Sequence, residues 1–347
     1  MTTQAQGTVR FSAIGLNHGH IYGMAAALLN AGAELVSFFA KEEDLCAAFQ
    51  KTYPQAKRAR CEEEILEDPA IHVIASAAIA NERAPLGTRA MHHGKDFFSD
   101  KPGFTTLEDL AAARRVQAET KRIYSICFSE RLDNRASVRA GELVQAGAIG
   151  RVVQTLGLGP HRTNLPSRAP WFFKRAQYGG ILCDVASHQV DQFLFFTGST
   201  SAEVVFSQVA NYKHPQYPEL EDFGDMILRS DRATGYIRVD WYTPDGLSTW
   251  GDGRLFLLGT EGYIEVRKYC DLAGRPGSDH LLLCDHKKTQ YIDCRQSPLP
   301  FGAQLVYDIL HRTETALPQA HCFLASELAV RAELQAVRLG NLRMTDE

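Results

Sequence analysis

A histidine and an aspartate four residues apart are the clearest candidates for acid–base chemistry in the sequence. Asp184 and His188 follow the glycine pair Gly179-Gly180. On a helix, residues at this spacing share one face, so the carboxylate would orient the imidazole, which would move a proton near neutral pH. The alternatives are a structural His–Asp hydrogen bond and part of a metal site, although the spacing offers no third metal ligand.

A lysine in the first third of the chain could supply a positive charge. Asp100-Lys101-Pro102 follows the short strand pattern Asp96–Ser99. The carboxyl ends of parallel strands border the crevice in which doubly wound sheets bind ligands. Lys101 would therefore face a ligand, with Pro102 fixing the backbone. The alternative is an exposed lysine in a turn.

A glycine turn after the first strand pattern is a candidate dinucleotide site. Val9–Gly15 has the pattern of a buried strand, and the turn that follows leads into a helical stretch. Gly15 permits a tight bend, and the N–H groups of a helix start suit a pyrophosphate. Asn17 and His20 replace the two later glycines of the usual fingerprint, and His18 lies between them. The pattern fits a cofactor turn or an ordinary strand-to-helix loop, in which the histidines make helix-start hydrogen bonds.

The end of the second strand pattern bears on the choice of nicotinamide cofactor. Enzymes that use NAD usually place an acidic residue there to bind the ribose hydroxyls, but this sequence has Ala40-Lys41-Glu42. Lys41 would tolerate a 2′-phosphate, so NAD and NADP both remain open. The alternative role of Lys41 is a solvated residue at a helix start.

The elements that would position these residues change character along the chain. In the first third, strand and helix patterns alternate, which is typical of a doubly wound, mostly parallel sheet. Further on, longer strands with alternating apolar residues prevail, as in Gly235–Tyr242, and Gly259-Thr260-Glu261-Gly262 indicates a hairpin. Ala320–Leu339 has a helical pattern. We predict an α/β domain over residues 1–125 and an α+β domain over residues 126–347, the latter with a large, mostly antiparallel open sheet.

Composition excludes several classes of protein. The 347 residues are 45% hydrophobic and 22% charged, with a net charge of -4. That balance is globular and lacks the basic excess of nucleic-acid or polybasic membrane binders. No apolar run reaches the ~18 residues of a membrane helix, and Met1–Thr8 has no signal pattern. The eight cysteines form no Cys-x-x-Cys pair, which argues against a metal and for a reducing compartment. We expect a cytoplasmic protein without nucleic-acid or membrane partners.

In their order and spacing, these motifs resemble the glucose–fructose oxidoreductase / inositol dehydrogenase (Gfo/Idh/MocA) family over nearly the whole chain. Ile14-Gly15 resembles its first glycine, Asp100-Lys101-Pro102 its Glu-Lys-Pro motif, and Gly179 to Asp191 its Gly-Gly-x-x-x-Asp-x-x-x-His-x-x-Asp helix. Gly259 to Gly262 matches its Gly-Thr-Glu-Gly hairpin. The sequence departs from the family in the lost fingerprint glycines, in the missing ribose acid and at Asn81-Glu82-Arg83, where Asn-His is common.

The resemblance implies an α/β Rossmann N-terminal domain that binds NAD or NADP, and a C-terminal domain whose sheet forms homodimers or homotetramers. It implies interconversion of a hydroxyl and a carbonyl on a sugar, polyol or sugar acid. His188 would take the hydroxyl proton, Lys101 would polarise the oxygen, and Asp184 would orient the pair. Two alternatives remain: a member without net redox chemistry, such as an NAD-assisted lyase or glycosidase, and a catalytically inactive regulator that binds a nucleotide or sugar.

Two further groups of residues are candidates for binding. The candidate cofactor residues are Gly15, Asn17, His18, His20, Ala40, Lys41, Lys101 and Pro102. Loops expected to approach the crevice carry the candidate substrate residues Arg131, Arg162, Trp171, Lys174 and Tyr178. Such a basic set would suit a sugar acid or a phosphorylated sugar, and Trp171 would stack on a sugar ring. The alternative is a solvated basic loop.

Overall fold

The chain folds around two β-sheets, one in each of two units, in a computed structural model that describes residues 7–342. The first unit is Met1–Cys127 with Pro300–Phe323, and the second is Phe128–Leu299 with Leu324–Glu347. This division differs from the sequence-based one, which placed residues 300–323 in the C-terminal domain. The predicted domain limits at residues 1 and 347 lie outside the described residues.

Helices and strands alternate regularly up to residue 127. In chain order the elements are β1 Arg10–Ile14, α1 His20–Asn30, β2 Glu34–Phe39, α2 Glu43–Thr52, β3 Lys57–Arg58, α3 Glu62–Leu66, β4 Val73–Ser76, α4 Ala80–His92, β5 Asp96–Asp100, α5 Leu107–Thr120 and β6 Tyr124–Cys127.

Strands dominate the part of the chain after residue 127. The elements there are α6 Ser129–Leu132, α7 Arg135–Gln145, β7 Val152–Pro160, α8 Arg175–Tyr178, α9 Ile181–Asp184, α10 Ser187–Thr197, β8 Glu203–Asn211, β9 Phe223–Arg229, β10 Thr234–Asp240, β11 Arg254–Gly259, β12 Gly262–Arg267, β13 His280–Asp285, β14 Thr289–Asp293, α11 Phe301–His311, α12 Gln319–Gln335 and β15 Val337–Gly340. Two short 3₁₀ helices, Leu165–Ser167 and Pro170–Phe173, precede α8.

The sheet of the first unit is parallel throughout, with the strand order β3-β2-β1-β4-β5-β6. All four residues of β4 and all five of β5 are buried, as expected for strands covered by helices on both faces. The strand order reverses between β1 and β4. This reversal creates the topological switch point at which open α/β sheets bind ligands.

Residues 300–323 join the first unit because their side chains complete its core. Phe301 of α11 packs on Phe98 of β5 with ring centroids 5.6 Å apart. Arg312 forms an ion pair with Asp96 at 2.6 Å, and the Gln319 side chain accepts a hydrogen bond from the Tyr124 amide at 2.8 Å. These partners are far apart in sequence, so a division based on local pattern does not detect them.

The sheet of the second unit has nine strands in the order β14-β13-β12-β11-β7-β10-β9-β8-β15. Two pairs, β7–β10 and β8–β15, are parallel, and the other pairs are antiparallel. The predicted fold class, a doubly wound α/β unit followed by a mostly antiparallel α+β unit, is confirmed. One face of this sheet buries residues such as Leu257 and Ile264 against Ala140 of α7 and Phe196 of α10.

The predicted C-terminal helix over Ala320–Leu339 is too long. Helix α12 ends at Gln335, and Val337–Gly340 forms an edge strand parallel to β8. Unpaired N–H and C=O groups at a sheet edge can pair with an extended segment. Here the hydrogen bonds to β8 favour a strand over the helix that the local pattern predicts. Among residues 7–342, no helix combines the length and apolar character needed to cross a membrane.

Candidate functional site

The glycine turn of the first unit depends on a close approach between two strand ends. Gly15 follows β1 with φ of 77°, and its amide donates to the Phe39 carbonyl at 2.9 Å. A Cβ added at this position would overlap Ala78, which follows β4. Both the left-handed backbone and the absence of a side chain therefore require glycine here.

A cleft of ≈ 490 Å³ opens at this turn, at the carboxyl ends of β1, β2 and β4. It brings together four of the predicted cofactor residues, Gly15, Asn17, Ala40 and Lys41. The Asn81 Oδ1 atom in its wall is buried and has no hydrogen-bond partner among the described residues. The cleft therefore has the place, the glycine cradle and an unused acceptor that a bound nucleotide requires.

Acidic side chains outnumber basic ones around this cleft. The Lys41 ammonium lies 3.2 Å from a carboxylate oxygen of Glu82, and the Asn17 amide donates to Glu42 at 2.8 Å. Arg89 pairs with two further cleft residues at 2.7 and 2.9 Å, Glu62 and Glu63. Four carboxylates thus face two cations, so the cleft carries two net negative charges.

A buried carboxylate organises the other side of the turn. Asp100, at the end of β5, is fully buried. Its oxygens lie 3.1 Å from His18 Nδ1, 2.8 Å from His20 Nδ1 and 3.2 Å from Arg83 Nη2. Burial opposes ionisation of Asp100, but the charges of His20 and Arg83 hold its pKa well below the usual range. The imidazoles of both predicted cofactor histidines are therefore turned towards an internal carboxylate.

Arg83 is a functional-site residue that the sequence analysis missed. It is 1% exposed, donates to the Ala78 carbonyl at 2.7 Å, and also donates to the carbonyls of Lys101 and Pro102. The Lys101–Pro102 peptide is cis, and the Lys101 amide donates to Asp100 at 2.7 Å. Arg83 thus holds the backbone that follows the candidate catalytic lysine, and Asp100 holds the amide that precedes it. The available signal was the departure at Asn81-Glu82-Arg83 from the family pattern.

His18, His20 and Asp100 also meet the distance requirement of a metal site, because their ligand atoms lie within 4.8 Å of one another. Two imidazoles and a carboxylate would suit zinc. However, the Arg83 guanidinium lies 3.2 Å from the same carboxylate and already supplies the positive charge that a cation would bring. We therefore interpret the three residues as an internal polar cluster around the ionised carboxylate of Asp100.

The sequence analysis predicted one helix for the segment that carries Asp184 and His188. The structure instead shows two helices there. Asp184 is the last residue of α9, and His188 is the second residue of α10. The Ile181 carbonyl accepts from both Val185 and Ala186, at 2.9 and 3.3 Å, and this sharing ends the first helix. The two residues therefore belong to successive short helices, although Val185 and Ala186 between them keep right-handed helical dihedral angles.

His188 lies beside a buried ion pair that sequence analysis did not identify. Glu130 of α6 forms an ion pair with Lys268. The side-chain amide of Gln189 donates a hydrogen bond to the same Glu130 oxygen at 2.7 Å. His188 is 2% exposed, and its ring meets Phe128 edge-on at 6.4 Å. Burial opposes ionisation of Glu130, but Lys268 and then His188 lower its pKa to about 2. An ionised carboxylate, paired with the Lys268 ammonium, therefore lies near the candidate general base.

Two candidate substrate residues have their polar atoms engaged inside the second unit. Arg131 makes two hydrogen bonds to Asp191 at 2.6 and 2.7 Å and stacks on Phe195. The Tyr178 hydroxyl donates to the Glu219 carbonyl and accepts from the Glu221 amide, both at 3.0 Å. Both residues are buried, and these contacts support a structural role for them.

The other three candidate substrate residues are more accessible. Arg162 is half-buried and donates to the carbonyls of Pro244 and Leu247 at 3.0 and 2.6 Å. Lys174 is exposed and pairs with Glu219 at 2.8 Å. Trp171 is half-buried, in a 3₁₀ helix. The accessible surfaces of these three side chains remain available for a ligand.

Comparisons with known proteins identify related sequences and folds. The family model described as GFO/IDH/MocA C-terminal domain matches residues 137–265. A crystal structure of a candidate oxidoreductase from Erwinia carotovora atroseptica SCRI1043 is 49% identical, has a TM-score of 0.93, and covers 96% of this chain and 100% of that chain. The structure of levoglucosan dehydrogenase in complex with NADH and levoglucosan has a TM-score of 0.79 at 17% identity. It covers 95% of this chain and 97% of that chain.

Sequence relatives agree with the structural ones. The scyllo-inositol 2-dehydrogenase (NAD(+)) of Bacillus subtilis (strain 168) is 28% identical over 210 residues, which are 58% of this chain and 57% of that protein. Levoglucosan dehydrogenase of Pseudarthrobacter phenanthrenivorans is 27% identical over 141 residues, which are 40% of this chain and 36% of that protein. The chain thus spans little more than half the length of the first of these relatives and about a third of the second.

A parallel Rossmann-type unit with a glycine turn, followed by a unit with a mixed nine-stranded sheet, defines the class of protein. Together with these matches, it shows that the chain belongs to the Gfo/Idh/MocA family. The family assignment made from the sequence motifs is confirmed.

We expect His18 to titrate near pH 4 and to make stability depend on pH. Burial, followed by the charge of His20, lowers the pKa of His18 from 6.5 to about 4. The unfolded chain takes up this proton at a higher pH, so the stabilisation is complete above pH 6.5. It falls by about 3 kcal/mol as the pH drops to 4. Imidazole NMR of the folded protein measures this pKa directly.

A substituted protein and a matched control separate this effect from other titrations. His18→Gln should lose the corresponding part of the pH dependence, whereas His286→Gln, which removes an exposed imidazole, should keep it. Denaturant unfolding near pH 7 and near pH 5 compares the three proteins. A folded-state pKa for His18 at or above its usual value would contradict the prediction.

Proposed function

We propose that this protein is an NAD(P)-dependent oxidoreductase that interconverts a hydroxyl and a carbonyl on a sugar, polyol or sugar acid. The observation that carries the proposal is the ≈ 490 Å³ cleft at the switch point, formed by the glycine turn of a family member. Relatives named for inositol, levoglucosan and D-xylose dehydrogenation support the substrate class.

The residues around the glycine turn fit a dinucleotide. Gly15 leaves room that a side chain would fill, and Asn81 Oδ1 offers a buried acceptor. We propose that Gly15, Asn17, His18, His20, Ala40, Lys41, Lys101 and Pro102 hold the cofactor. When bound, the nicotinamide would supply hydride exchange, and the protein would supply position and electrostatics.

Three residues would carry the proton chemistry of the reaction. His188 would take the hydroxyl proton, and the ionised Glu130 near it would stabilise the imidazolium that results. Lys101 would polarise the reacting oxygen, since Arg83 and Asp100 fix its backbone. Asp184 would orient the histidine or bind the substrate.

The candidate substrate residues divide into two groups in this proposal. Arg162, Trp171 and Lys174 would contact the substrate, since they retain accessible surface. Arg131 and Tyr178 would support the fold of the substrate-binding unit through the bonds to Asp191 and Glu219. A sugar acid would gain most from the two basic side chains.

Substitution of the proposed catalytic residues should reduce turnover without loss of cofactor binding. We expect Lys101→Met and His188→Gln each to lower kcat by about 100-fold or more, because each removes a charge or proton acceptor that acts in the transition state. NADH affinity, followed by nucleotide fluorescence, should change by less than about threefold for His188→Gln. The assay uses a panel of sugars, polyols and sugar acids with both nucleotides.

Exposed residues of the same types provide matched controls. Lys287→Met and His286→Gln alter the turn between β13 and β14, where both side chains are exposed, and should leave turnover unchanged. Failure of the unmodified protein to bind either nucleotide at millimolar concentration would refute the oxidoreductase proposal and favour a regulator. Product formed without net change in NADH would favour a lyase or glycosidase.

We infer that the cofactor is NAD rather than NADP. Lys41, the residue that would tolerate a 2′-phosphate, is already paired with Glu82. Glu42 is held by the Asn17 amide at the cleft wall, where a carboxylate would accept hydrogen bonds from ribose hydroxyls. A doubly charged 2′-phosphate would add to a cleft with two net negative charges.

The charge of the cleft predicts a measurable preference. NADH should bind at least about 10-fold more tightly than NADPH, which corresponds to about 1.4 kcal/mol. Glu82→Gln releases Lys41 and should tighten NADPH binding, whereas Glu42→Gln should weaken NADH binding. Glu43→Gln is the control, because Glu43 is exposed and pairs with Arg58. Equal affinities of the unmodified protein for the two nucleotides by calorimetry would overturn the inference.

The open face of the second sheet supports assembly into a homodimer or homotetramer. One cross-strand row runs over eight strands on this face, and only one of its eight side chains is charged. The row consists of Phe206, Ile227, Tyr236, Leu156, Phe256, Glu265, Leu282 and Tyr291. None of these residues is buried, and a contiguous apolar patch of this kind marks a protein–protein interface.

A charge placed within this row should break the assembly. Ile227→Asp puts a carboxylate at a site that is 38% exposed in the single chain, so two copies would have to bury it. We expect sedimentation to show the monomer. Leu272→Asp, at a 66% exposed position in a turn, should leave the oligomer intact. A monomeric unmodified protein would contradict the assembly proposal.

The cysteines bear on the compartment. All eight are free thiols, including the exposed Cys61. Free thiols persist where glutathione and thioredoxin keep them reduced, so we propose a reducing compartment such as the cytoplasm.

A further inference from the structure

Two buried carboxylates hold the start of the helix that leads to Asp184. Glu221, from the loop before β9, accepts a hydrogen bond from the Ile181 amide at 2.7 Å. Glu333, from α12, accepts one from the Leu182 amide at 3.2 Å. Both side chains are at most 2% exposed. They satisfy two of the N–H groups that a helix start leaves without an intrahelical partner.

Two arginines hold the two carboxylates in place. Arg175 of α8 lies 2.8 Å from Glu333 and 3.3 Å from Glu221. Arg338 of β15 lies 2.6 Å from Glu221 and 3.3 Å from Glu333. In each carboxylate, one oxygen binds a backbone amide and the other binds both guanidinium groups. We call these four side chains the carboxylate clamp.

The clamp explains why two glycines precede α9. Gly179 and Gly180 have φ of 89° and 94°, which side-chain-bearing residues rarely adopt. A Cβ added at Gly180 would overlap the carboxyl group of Glu333. The glycine pair thus allows the chain to pass directly over the clamp and turn into the helix.

A helix of four residues has almost no stability of its own, so α9 takes its direction from contacts at its start. Asp184 ends this single turn, and His188 follows after a two-residue break. A displacement of the Ile181 and Leu182 amides would therefore move Asp184 directly and His188 through the following turn.

We propose that Glu221 and Glu333 are positioning residues that set the place of Asp184 and His188 by clamping the first two amides of α9. The inference rests on the proposed function for its catalytic consequence. The structural part of the inference is that the clamp immobilises residues 181–188. This part does not depend on the proposed function.

Below about pH 8 the carboxyl group of Glu333 holds a proton, so that two guanidinium charges face the single carboxylate charge of Glu221. Burial, and next the charge of Glu221, raise the pKa of Glu333 to about 8. The charged or titratable groups around it are Glu221, Arg175, Arg338, Tyr178 and Cys183. Because the folded-state pKa lies above the usual 4.5, the stabilisation is complete at acidic pH and is lost as the pH rises through about 8. Ionised Glu333 is then repelled by the carboxylate of Glu221, and this repulsion should destabilise the clamp in alkaline solution.

Two substitutions of Glu333 distinguish the effect of its hydrogen bond to Leu182 from the effect of its ionisation. Glu333→Gln keeps an acceptor for Leu182 and cannot ionise, so it should retain kcat within about threefold at pH 7 and lose the alkaline decline centred near pH 8. Glu333→Ala removes the acceptor and should lower kcat by about 10-fold or more. NADH affinity should stay unchanged in both variants. Glu327→Ala is the control on the same helix, where Glu327 pairs with Arg331.

Amide hydrogen exchange tests the clamp independently of any turnover. Exchange over residues 181–188 should accelerate in Glu333→Ala and stay unchanged in Glu333→Gln and Glu327→Ala near neutral pH. This result would support the positioning role even if no substrate were turned over, in which case the proposed function alone fails. Unchanged exchange in Glu333→Ala, or an alkaline decline in kcat retained by Glu333→Gln, would overturn the inference.

Discussion

The ligand-binding edge of the first unit depends on the ionised carboxylate of Asp100. A charge removed from water costs several kcal/mol unless nearby donors replace the lost hydration. Here the hydrogen-bond donors are His20 at the start of α1 and the amide of the next residue, Lys101, and Arg83 of α4 supplies a positive charge. The requirement to surround one carboxylate thus draws three distant stretches of chain together. The position of the candidate catalytic lysine is a consequence of that convergence.

Periodic and local features of the fold could be read from the sequence. The alternation of strand and helix patterns predicted the parallel sheet, and Gly15 was identifiable because a tight bend after a buried strand calls for glycine. Pairs of buried charges could not be read in this way. Arg83 meets Asp100, and Glu130 meets Lys268, across long stretches of chain. A charged residue within a helical pattern looks the same whether its partner is water or a distant carboxylate.

Tertiary contacts also account for the predicted boundaries that differ from the structure. Residues 300–323 contain α11 and the start of α12, and nothing local shows that Phe301 packs on Phe98. The pattern of α12 continues past Gln335, but the open edge of β8 takes the next residues as a strand. The break between Asp184 and His188 arises at a carbonyl shared by two amides, and such sharing leaves no mark on side-chain periodicity. In each case a neighbour in space decided between conformations that the local sequence allows.

Strand β15 and helix α11 come late in the chain, but each completes a sheet that begins much earlier. The order in which the ribosome releases the chain therefore matters for folding. The first sheet obtains part of its cover from residues 300–323, and the second obtains an edge strand and Arg338 from residues 337–340. A ribosome releases the chain from its N-terminus, so neither sheet is completed until residues beyond 300 have emerged. Until then, apolar strands of both sheets lack part of their cover, and uncovered strands and strand edges of this kind are prone to aggregate.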